Sequence, residues 1–320
     1  MRFDGIDFLR GIAAFCIVGC HVALLPMTDI GWRIHDLCDM NVGVFAALSG
    51  FLMWKEDGVG PWRAYARRRA SRLLPIYFLW TGVFVLFGFV FDVAIRHALN
   101  EKWLDWDYYP KLIFGGQASA HLWYLVCLLY IQLLLGAGER FVKRIPWAGL
   151  LAVSLGIIWF ASVKMNVWLM GYPVRMAGFV LAGYALRLRV AKISSTGALQ
   201  SGLWLMLGLF LAVTHFRIGR GALPVFVKDW IVAVPVLLAF IHMPVSGKAR
   251  KIGNVFGVTS LGVYLIHPLI TAGAGLVMKK VFSAPYGAQP ILVDMFVCWL
   301  LSFVVVLALV RNNLTRRWVS

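Results

Sequence analysis

The stretch "FLRGIAAFCIVGCHV", from Phe8 to Val22, has the composition of a membrane-spanning helix but includes two residues that hydrocarbon disfavours. It is apolar over nearly the length of a span, yet it contains Arg10 and His21. A charged guanidinium and a titratable imidazole are costly in the core of a bilayer. Both residues therefore need a structural or a chemical reason to be there.

The rest of the chain has the composition of a multi-pass membrane protein. Of its 320 residues, 61% are hydrophobic and 14% are charged, and the mean hydropathy is +0.80. Because a span needs about 20 largely apolar residues, we predict one all-α integral membrane domain over residues 1–320, with about ten transmembrane helices. The candidate spans are centred near residues 17, 46, 84, 128, 155, 178, 206, 233, 266 and 300. The second, over about 40–54, is short.

Basic residues predict the orientation of these spans. With a cytoplasmic N-terminus, 19 of the 31 Lys and Arg residues lie in cytoplasmic segments, so both termini are expected in the cytoplasm. The net charge of +17 then reflects topology and contact with anionic lipid. A nucleic-acid partner is not expected, since the basic residues are spread over six short segments rather than one patch. The five cysteines show no metal-ligand spacing, and no metal site is predicted.

Arg10 and His21 share one face of the first span. They are eleven residues apart, about three helical turns, and therefore roughly 16 Å apart along the helix axis. In the predicted orientation Arg10 lies near the cytoplasmic surface and His21 in the outer half of the membrane. Arg10 could simply extend its guanidinium to the lipid headgroups. A histidine deep in a span is rarer and indicates a functional site.

Five stretches of the chain, in this order, resemble signature segments of the acyltransferase-3 family of membrane acyltransferases. The first is Arg10, ten intervening residues and His21. The others are "ALSGFLMW" (47–54), "RRRASRLLPIYFLW" (67–80), "HLWYL" (121–125) and "SLGVYLIHPLI" (260–270). Three departures are visible. The aromatic pair usual before LSGFL is here Phe45-Ala46, no acidic residue follows HLWYL, and no appended esterase domain is expected after Ser320.

The resemblance implies transfer of an acyl group, most often acetyl, from cytoplasmic acyl-CoA to a hydroxyl of a glycan. The acceptor would be a cell-surface or lipid-linked sugar, such as a lipopolysaccharide or an exopolysaccharide. Acetyl-CoA would be a donor substrate, and no permanently bound cofactor is expected. A multi-pass location in a bacterial inner membrane is inferred from the family alone.

The candidate site follows from the chemistry of this reaction. Imidazole has a pKa near 6.5 in water, so His21 could take the proton of the sugar hydroxyl as a general base. A covalent acyl-histidine is the other possibility, and the sequence does not separate the two. The phosphates of coenzyme A need cations at the cytoplasmic face. Arg69 and Arg72 are three residues apart on a predicted helix and point to the same side, and Arg10 is the third candidate.

Further polar residues could contribute to a substrate site. Ser260, Tyr264 and His267 are spaced as one stripe of a helix, which could line the acceptor site or bond to a helix break beside Pro268. His121 and Trp123 could contact substrate or form part of an interfacial aromatic belt. Arg175 lies inside a span, where it could bind an anionic group. Ser49 is interpreted as a small packing residue.

Other functions are compatible with the same pattern. A transporter or flippase for a glycan or small molecule would also need polar residues at depth, but it has no use for an acyl-CoA thioester. A membrane sensor or a partner of a biosynthetic complex would tolerate loss of His21. A narrower variant of acyl transfer moves succinyl or a longer chain, since the sequence does not define the size of the acyl pocket.

Overall fold

The computed structural model describes residues 3–23, 29–53, 60–95, 105–115, 119, 121–164, 168–190, 197–217, 224–281 and 291–319. Within these ranges the chain forms α-helices and one π-helical turn, without any strand. The elements are α1 Asp4–Ala23, α2 Asp29–Met53, α3 Trp62–Val90, the π turn Phe91–Ile95, α4 Tyr108–Gly115, α5 Trp123–Ala137, α6 Glu139–Val142, α7 Trp147–Lys164, α8 Trp168–Val190, α9 Ala198–Arg217, α10 Val225–His242, α11 Gly247–Val281, α12 Ile291–Arg311 and α13 Asn313–Arg316.

The predicted fold class, an all-α multi-pass membrane protein, is confirmed. All helices except the short α4, α6 and α13 correspond to the ten predicted spans. Among the described residues, five helices are long and apolar enough to cross a membrane: Asp4–Val22, Gly31–Met53, Trp62–Val93, Gly247–Ala274 and Ile291–Arg311. Shorter apolar helices occupy Trp123–Ala137, Trp147–Val163 and Ala198–Thr214. The cytoplasmic location of both termini stays a prediction.

Two helices are longer than the hydropathy of the sequence suggests. Helix α2 begins at Asp29, about eleven residues before the predicted start of the second span, and has 25 residues. Polar residues in its first turns mask the helix in a hydropathy profile, but Cys38 and Met40 are buried at 4% and 5% exposure. Helix α11 has 35 residues and continues through Pro268. The polar start of α2 is thus part of the same helix, with Cys38 and Met40 buried and Trp32 44% exposed.

The described chain divides into two compact units. The first unit comprises Met1–Trp54, Pro146–Asn166 and Val174–Ser320, and the second comprises Lys55–Ile145 and Val167–Pro173. In the first unit α1 packs against α2, α10, α11 and α12. Small residues on α1 permit this approach, because a Cβ at Gly11 would lie 2.7 Å from the Phe256 side chain of α11. Helix α1 is therefore the central helix of its unit.

The LSGFL segment holds α2 against α8 in the first unit. A Cβ at Gly50 would collide with the carbonyl oxygen of Val180, and a Cβ at Gly183 would collide with the carbonyl oxygen of Ala47. The hydroxyl of Ser49 donates to the carbonyl oxygen of Phe45 at 3.0 Å, within its own helix. The glycines permit direct contact of the two backbones. This segment therefore serves packing.

In the second unit α3 packs against α5. The indole Nε1 of Trp62 donates to the carbonyl oxygen of Leu133 at 3.3 Å. The ring of Tyr65 lies against Gly136, where a Cβ would approach it to 2.6 Å. These contacts join the beginning of α3 to the end of α5, as expected for an antiparallel pair of helices.

Candidate active site

The imidazole of His267 compensates for a hydrogen bond that α11 loses at Pro268. Proline has no backbone N–H, so the carbonyl oxygen of Tyr264, four residues earlier, loses its helical donor. The Nδ1 of His267 lies 2.8 Å from that oxygen and 3.2 Å from the carbonyl oxygen of Val263. Since a carbonyl oxygen only accepts, Nδ1 carries the hydrogen. In the neutral ring Nε2 therefore holds the lone pair.

His267 lies beside His21. The centroids of the two rings are 4.9 Å apart, and their planes are tilted by 44°. His267 is completely buried at 0% exposure, whereas His21 is only partly buried. One ring of this histidine pair is therefore partly exposed, and the other is enclosed by the helix packing. The pair joins α1 to α11 in the outer half of the first unit, on the predicted orientation.

Aromatic side chains extend the histidine pair toward α2. The ring of Tyr264 lies 6.3 Å from the ring of His267 and 6.4 Å from the ring of Phe45 on α2. Tyr264 is buried at 5% exposure and Ser260 at 1%, so the predicted stripe of α11 faces the interior of its unit. The hydroxyl of Ser260 donates to the carbonyl oxygen of Gly257 at 3.0 Å. Residues of α1, α2 and α11 therefore meet around His21.

Arg10 lies on α1 about three turns before His21. Its Nη1 is 3.5 Å from an Asp7 carboxylate oxygen, and both side chains are partly exposed, at 28% and 17%. Near the beginning of the same helix, Asp4 pairs with Arg250 of α11 at 3.1 Å. The Asp4–Arg250 ion pair thus ties the first turn of α1 to the first turn of α11. A partly exposed guanidinium in this position can also contact an anion.

Arg69 and Arg72 lie one turn apart on α3, in the second unit. The guanidinium of Arg69 lies 5.2 Å from the centre of the Tyr65 ring, in a cation–π contact, and Arg72 is exposed. Guanidinium groups at this spacing can hold a phosphate together. Their role in binding acyl-CoA stays a prediction.

His121 also belongs to the second unit, and it is buried. Its Nδ1 lies 2.8 Å from the hydroxyl of Ser119, and its ring meets the ring of Phe84 edge to face at 5.0 Å. The exposed fraction of His121 is 3%. Trp123 lies at the start of α5 with its ring against Tyr124. His121 therefore has packing partners of its own, and the substrate role predicted for His121 and Trp123 stays a prediction.

Arg175 connects three helices of the first unit. Its Nη2 donates to the carbonyl oxygen of Ala161 on α7 at 3.2 Å. Its guanidinium also lies 4.3 Å from the centre of the Phe226 ring on α10. These contacts explain how an arginine is retained inside α8 without any substrate. The predicted contact of Arg175 with substrate stays a prediction.

Sequence reasoning missed a polar stripe at the beginning of α2. Trp32, His35, Asp36 and Asp39 follow the spacing i, i+3, i+4 and i+7, which places them on one face of that helix. This spacing is visible in the sequence, but the stripe lies before residue 40, outside the predicted second span. Among the described residues, no group of three or more His, Cys, Asp or Glu is arranged to hold a metal ion.

A model of the acyltransferase-3 family, described as an acyltransferase domain, matches residues 3–311 of the chain. The match covers nearly the whole sequence and includes every motif discussed above. No curated protein and no solved structure matches the chain.

Proposed function

Since the chain belongs to the acyltransferase-3 family, as its motifs predicted, we propose that it transfers an acetyl group from cytoplasmic acetyl-CoA to a hydroxyl of a cell-surface or lipid-linked glycan. Family membership implies an acyltransferase embedded in a membrane, with an acyl donor and an acceptor. The observation that supports a catalytic role for His21 is its ring contact with the buried His267.

His21 is the general base of the proposed reaction. Its ring accepts the proton of the acceptor hydroxyl while that oxygen attacks the carbonyl carbon of the thioester. The tetrahedral intermediate then collapses, the carbon–sulfur bond breaks, and the thiolate of coenzyme A takes the proton back from the imidazolium. The step yields an O-acetyl ester and free coenzyme A, with no net change in protons.

His267 orients His21 in this mechanism. With its own Nδ1–H directed to the Tyr264 carbonyl, the neutral His267 ring has a lone pair on Nε2. A fixed ring in contact with His21 can hold the imidazole of His21 in one orientation and leave a nitrogen of His21 to accept the substrate proton. Outer partners of this kind set the tautomer and the orientation of a reactive imidazole. His267 is therefore a positioning residue.

In the same proposal, arginine side chains bind the acyl donor, acetyl-CoA. Arg10 of the first unit binds a phosphate of acetyl-CoA at the cytoplasmic face, where a guanidinium fork matches phosphate oxygens. Arg69 and Arg72 of the second unit are proposed as phosphate ligands from their own spacing on α3. The thin pantetheine arm then extends into the membrane toward His21. Acetyl-CoA is a substrate here, and the enzyme needs no resident cofactor. The expected location is the inner membrane of a bacterium.

The test is acetyl transfer in membranes supplied with labelled acetyl-CoA, with label followed into the glycan fraction. His21→Ala should lower the rate by about 10²–10⁴-fold, the usual contribution of a general base. His242→Gln is the matched control, because His242 is a buried histidine of the same unit near the end of α10, outside the proposed site. It should keep most of the activity.

The same assay separates the alternatives. If His21→Ala transfers label as fast as the native chain, His21 is not the base. If the native chain retains acid-labile label at neutral pH before acceptor is added, and His21→Ala does not, an acyl-histidine intermediate replaces general-base catalysis. If native membranes transfer no label from acetyl-, succinyl- or longer acyl-CoA, the transporter or flippase interpretation is preferred.

A further inference from the structure

The LSGFL segment at the end of α2 contacts an arginine that the proposed reaction does not yet use. Because Gly50 and Gly183 let the backbones of α2 and α8 touch, Phe51 is brought against α8 and is buried at 1% exposure. The guanidinium of Arg187, in the last turn of α8, lies 5.4 Å from the centre of the Phe51 ring. It also lies 5.0 Å from the centre of the Phe3 ring, which directly precedes α1. The packing of the LSGFL segment thus positions an arginine of α8.

Two aromatic rings from different parts of the chain hold the Arg187 side chain. The rings of Phe3 and Phe51 meet edge to face, with centroids 5.1 Å apart. A guanidinium is more weakly hydrated than an ammonium group and packs well on aromatic rings. The Nε of Arg187 is shielded from solvent, while the residue as a whole is partly exposed. The rings therefore orient the guanidinium without enclosing the whole side chain.

Arg187 lies at the same end of the first unit as Arg10. In the predicted orientation α1 begins and α8 ends at the cytoplasmic side, and Phe3 of α1 contacts Arg187 directly. Arg10 follows Phe3 by seven residues, about 10 Å along the axis of α1. Its side chain is 28% exposed. Both arginines belong to the first unit, which also contains His21.

The described helix ends around these arginines carry an excess of positive charge. The two carboxylates in the first turn of α1, those of Asp4 and Asp7, pair with Arg250 and Arg10. The first two turns of α1 and α11 and the last turn of α8 together carry six basic residues: Arg10, Arg187, Arg189, Lys248, Arg250 and Lys251. Such an excess attracts an anionic ligand. Membrane orientation explains basic residues at this end, but it does not explain two rings packed on one guanidinium.

From these contacts we infer that Arg187, held by Phe3 and Phe51, binds the nucleotide phosphates of the acyl donor together with Arg10. This inference rests on the proposed function and deepens it, because it assigns the nucleotide site to the unit that contains His21. A guanidinium fork can bind two oxygens of one phosphate. The nucleotide of coenzyme A carries a diphosphate on one side of its ribose and a monophosphate on the other, so two separate arginines can each bind one group. A lipid phosphate offers the same chemistry, and the experiment separates the two sources.

The first measurement is equilibrium binding of labelled acetyl-CoA to the full-length protein in phosphatidylcholine vesicles. Arg187→Gln should raise the Kd by about tenfold or more, as expected for the loss of a hydrogen bond between charged groups. Phe51→Leu removes one ring and keeps the charge, and it should raise the Kd by about threefold, the effect of a partly exposed cation–π contact. Arg189→Gln is the matched control, because it removes the same charge from a guanidinium that lies on the Trp147 ring of α7. Its Kd should stay native.

The second measurement compares two donors in acetyl transfer to the glycan fraction of membranes. S-acetylpantetheine has the thioester and the pantetheine arm of acetyl-CoA but lacks the nucleotide. Arg187→Gln should therefore lower kcat/KM for acetyl-CoA by about tenfold and leave kcat/KM for S-acetylpantetheine unchanged. Equal losses with both donors would show that Arg187 supports the fold or binds a lipid phosphate, and the inference would be wrong.

The remaining outcomes separate this inference from the function on which it rests. If the native protein binds acetyl-CoA and Arg187→Gln binds it equally well, the inference is wrong and the proposed function stands. The inference is also wrong if Arg189→Gln weakens binding as much as Arg187→Gln does, since the effect is then one of total charge. If the native protein neither binds acetyl-CoA nor transfers label from it, the proposed function fails together with the inference.

Discussion

His267 in the first unit and His121 in the second are both buried histidines, but their Nδ1 atoms meet different groups. His267 is 0% exposed and is bonded to the carbonyl oxygen of Tyr264, while His121 is 3% exposed and is bonded to the hydroxyl of Ser119. A carbonyl only accepts a hydrogen bond, whereas a hydroxyl can donate or accept. The surroundings therefore fix the tautomer of His267 but leave that of His121 open.

The rings also have different neighbours. His267 lies against His21, another titratable ring, while His121 lies against the edge-to-face aromatic partner Phe84. A fixed tautomer beside a partly exposed imidazole suits proton transfer. A buried imidazole packed on phenylalanine suits structural stability. Burial alone thus does not distinguish the two histidines, whereas the nearest hydrogen-bond partner and the nearest ring do.

The largest difference between the two histidines is expected when each is replaced by alanine. His267→Ala should lower kcat for acetyl transfer by about 10–100-fold, the usual cost of losing an orienting partner, with an unchanged KM for acetyl-CoA. His267→Asn should recover part of that loss, because the amide can still donate to the Tyr264 carbonyl. His121→Ala should lower kcat far less. Steady-state rates with equal amounts of inserted protein decide this, and equal losses for both histidines would remove the distinction.

A smaller effect is expected from restoring the backbone donor. Pro268→Ala returns an N–H to the Tyr264 carbonyl, which then competes with the Nδ1 of His267. The tautomer is no longer enforced, and we expect kcat to fall by about threefold to tenfold, less than the loss of a full outer partner. Pro75→Ala, at an exposed position inside α3, is the control and should keep the native rate. Native activity in Pro268→Ala would show that the tautomer is irrelevant.

The smallest effect is expected at Ser119. Ser119→Ala removes the hydroxyl bonded to Nδ1 of the buried His121, which should cost about 1 kcal/mol of stability and leave acetyl transfer unchanged. Thermal unfolding of the purified protein measures the loss as a lower midpoint. Ser71→Ala is the control, since the Ser71 hydroxyl bonds only the carbonyl oxygen of Arg68 in its own helix. A large loss of activity in Ser119→Ala would place His121 in the reaction.

The sequence predicted the helices better than it predicted their contacts. The ten apolar stretches were found because hydrophobicity over about 20 residues is a local property. The beginning of α2 was missed, because Arg33, His35, Asp36 and Asp39 make its first turns polar although Cys38 and Met40 are buried. A hydropathy profile cannot separate a polar loop from the polar first turns of a membrane helix.

The candidate site was predictable only within single helices. The shared face of Arg10 and His21 and the stripe of Ser260, Tyr264 and His267 follow from helical periodicity. The contact between these two helices does not follow from periodicity. The contacts of Arg175 do not follow from it either, because its partners Ala161 and Phe226 lie on two other helices. Partners on different helices depend on which small residues allow close approach, and that depends on all helices of a unit together.

The sequence by itself determined an all-helical membrane protein of the acyltransferase-3 family, with a histidine deep in its first span. These features follow from local hydrophobicity, helical spacing and short motifs. Only the tertiary structure decided that His267, 246 positions further along the chain, packs on His21 with its Nδ1–H held by the carbonyl beside Pro268. It also decided that α10 packs against both α1 and α2. The physical reason is that helical periodicity in the sequence determines which face of a helix is polar. Which neighbouring helix that face contacts depends on the packing of all helices in the unit.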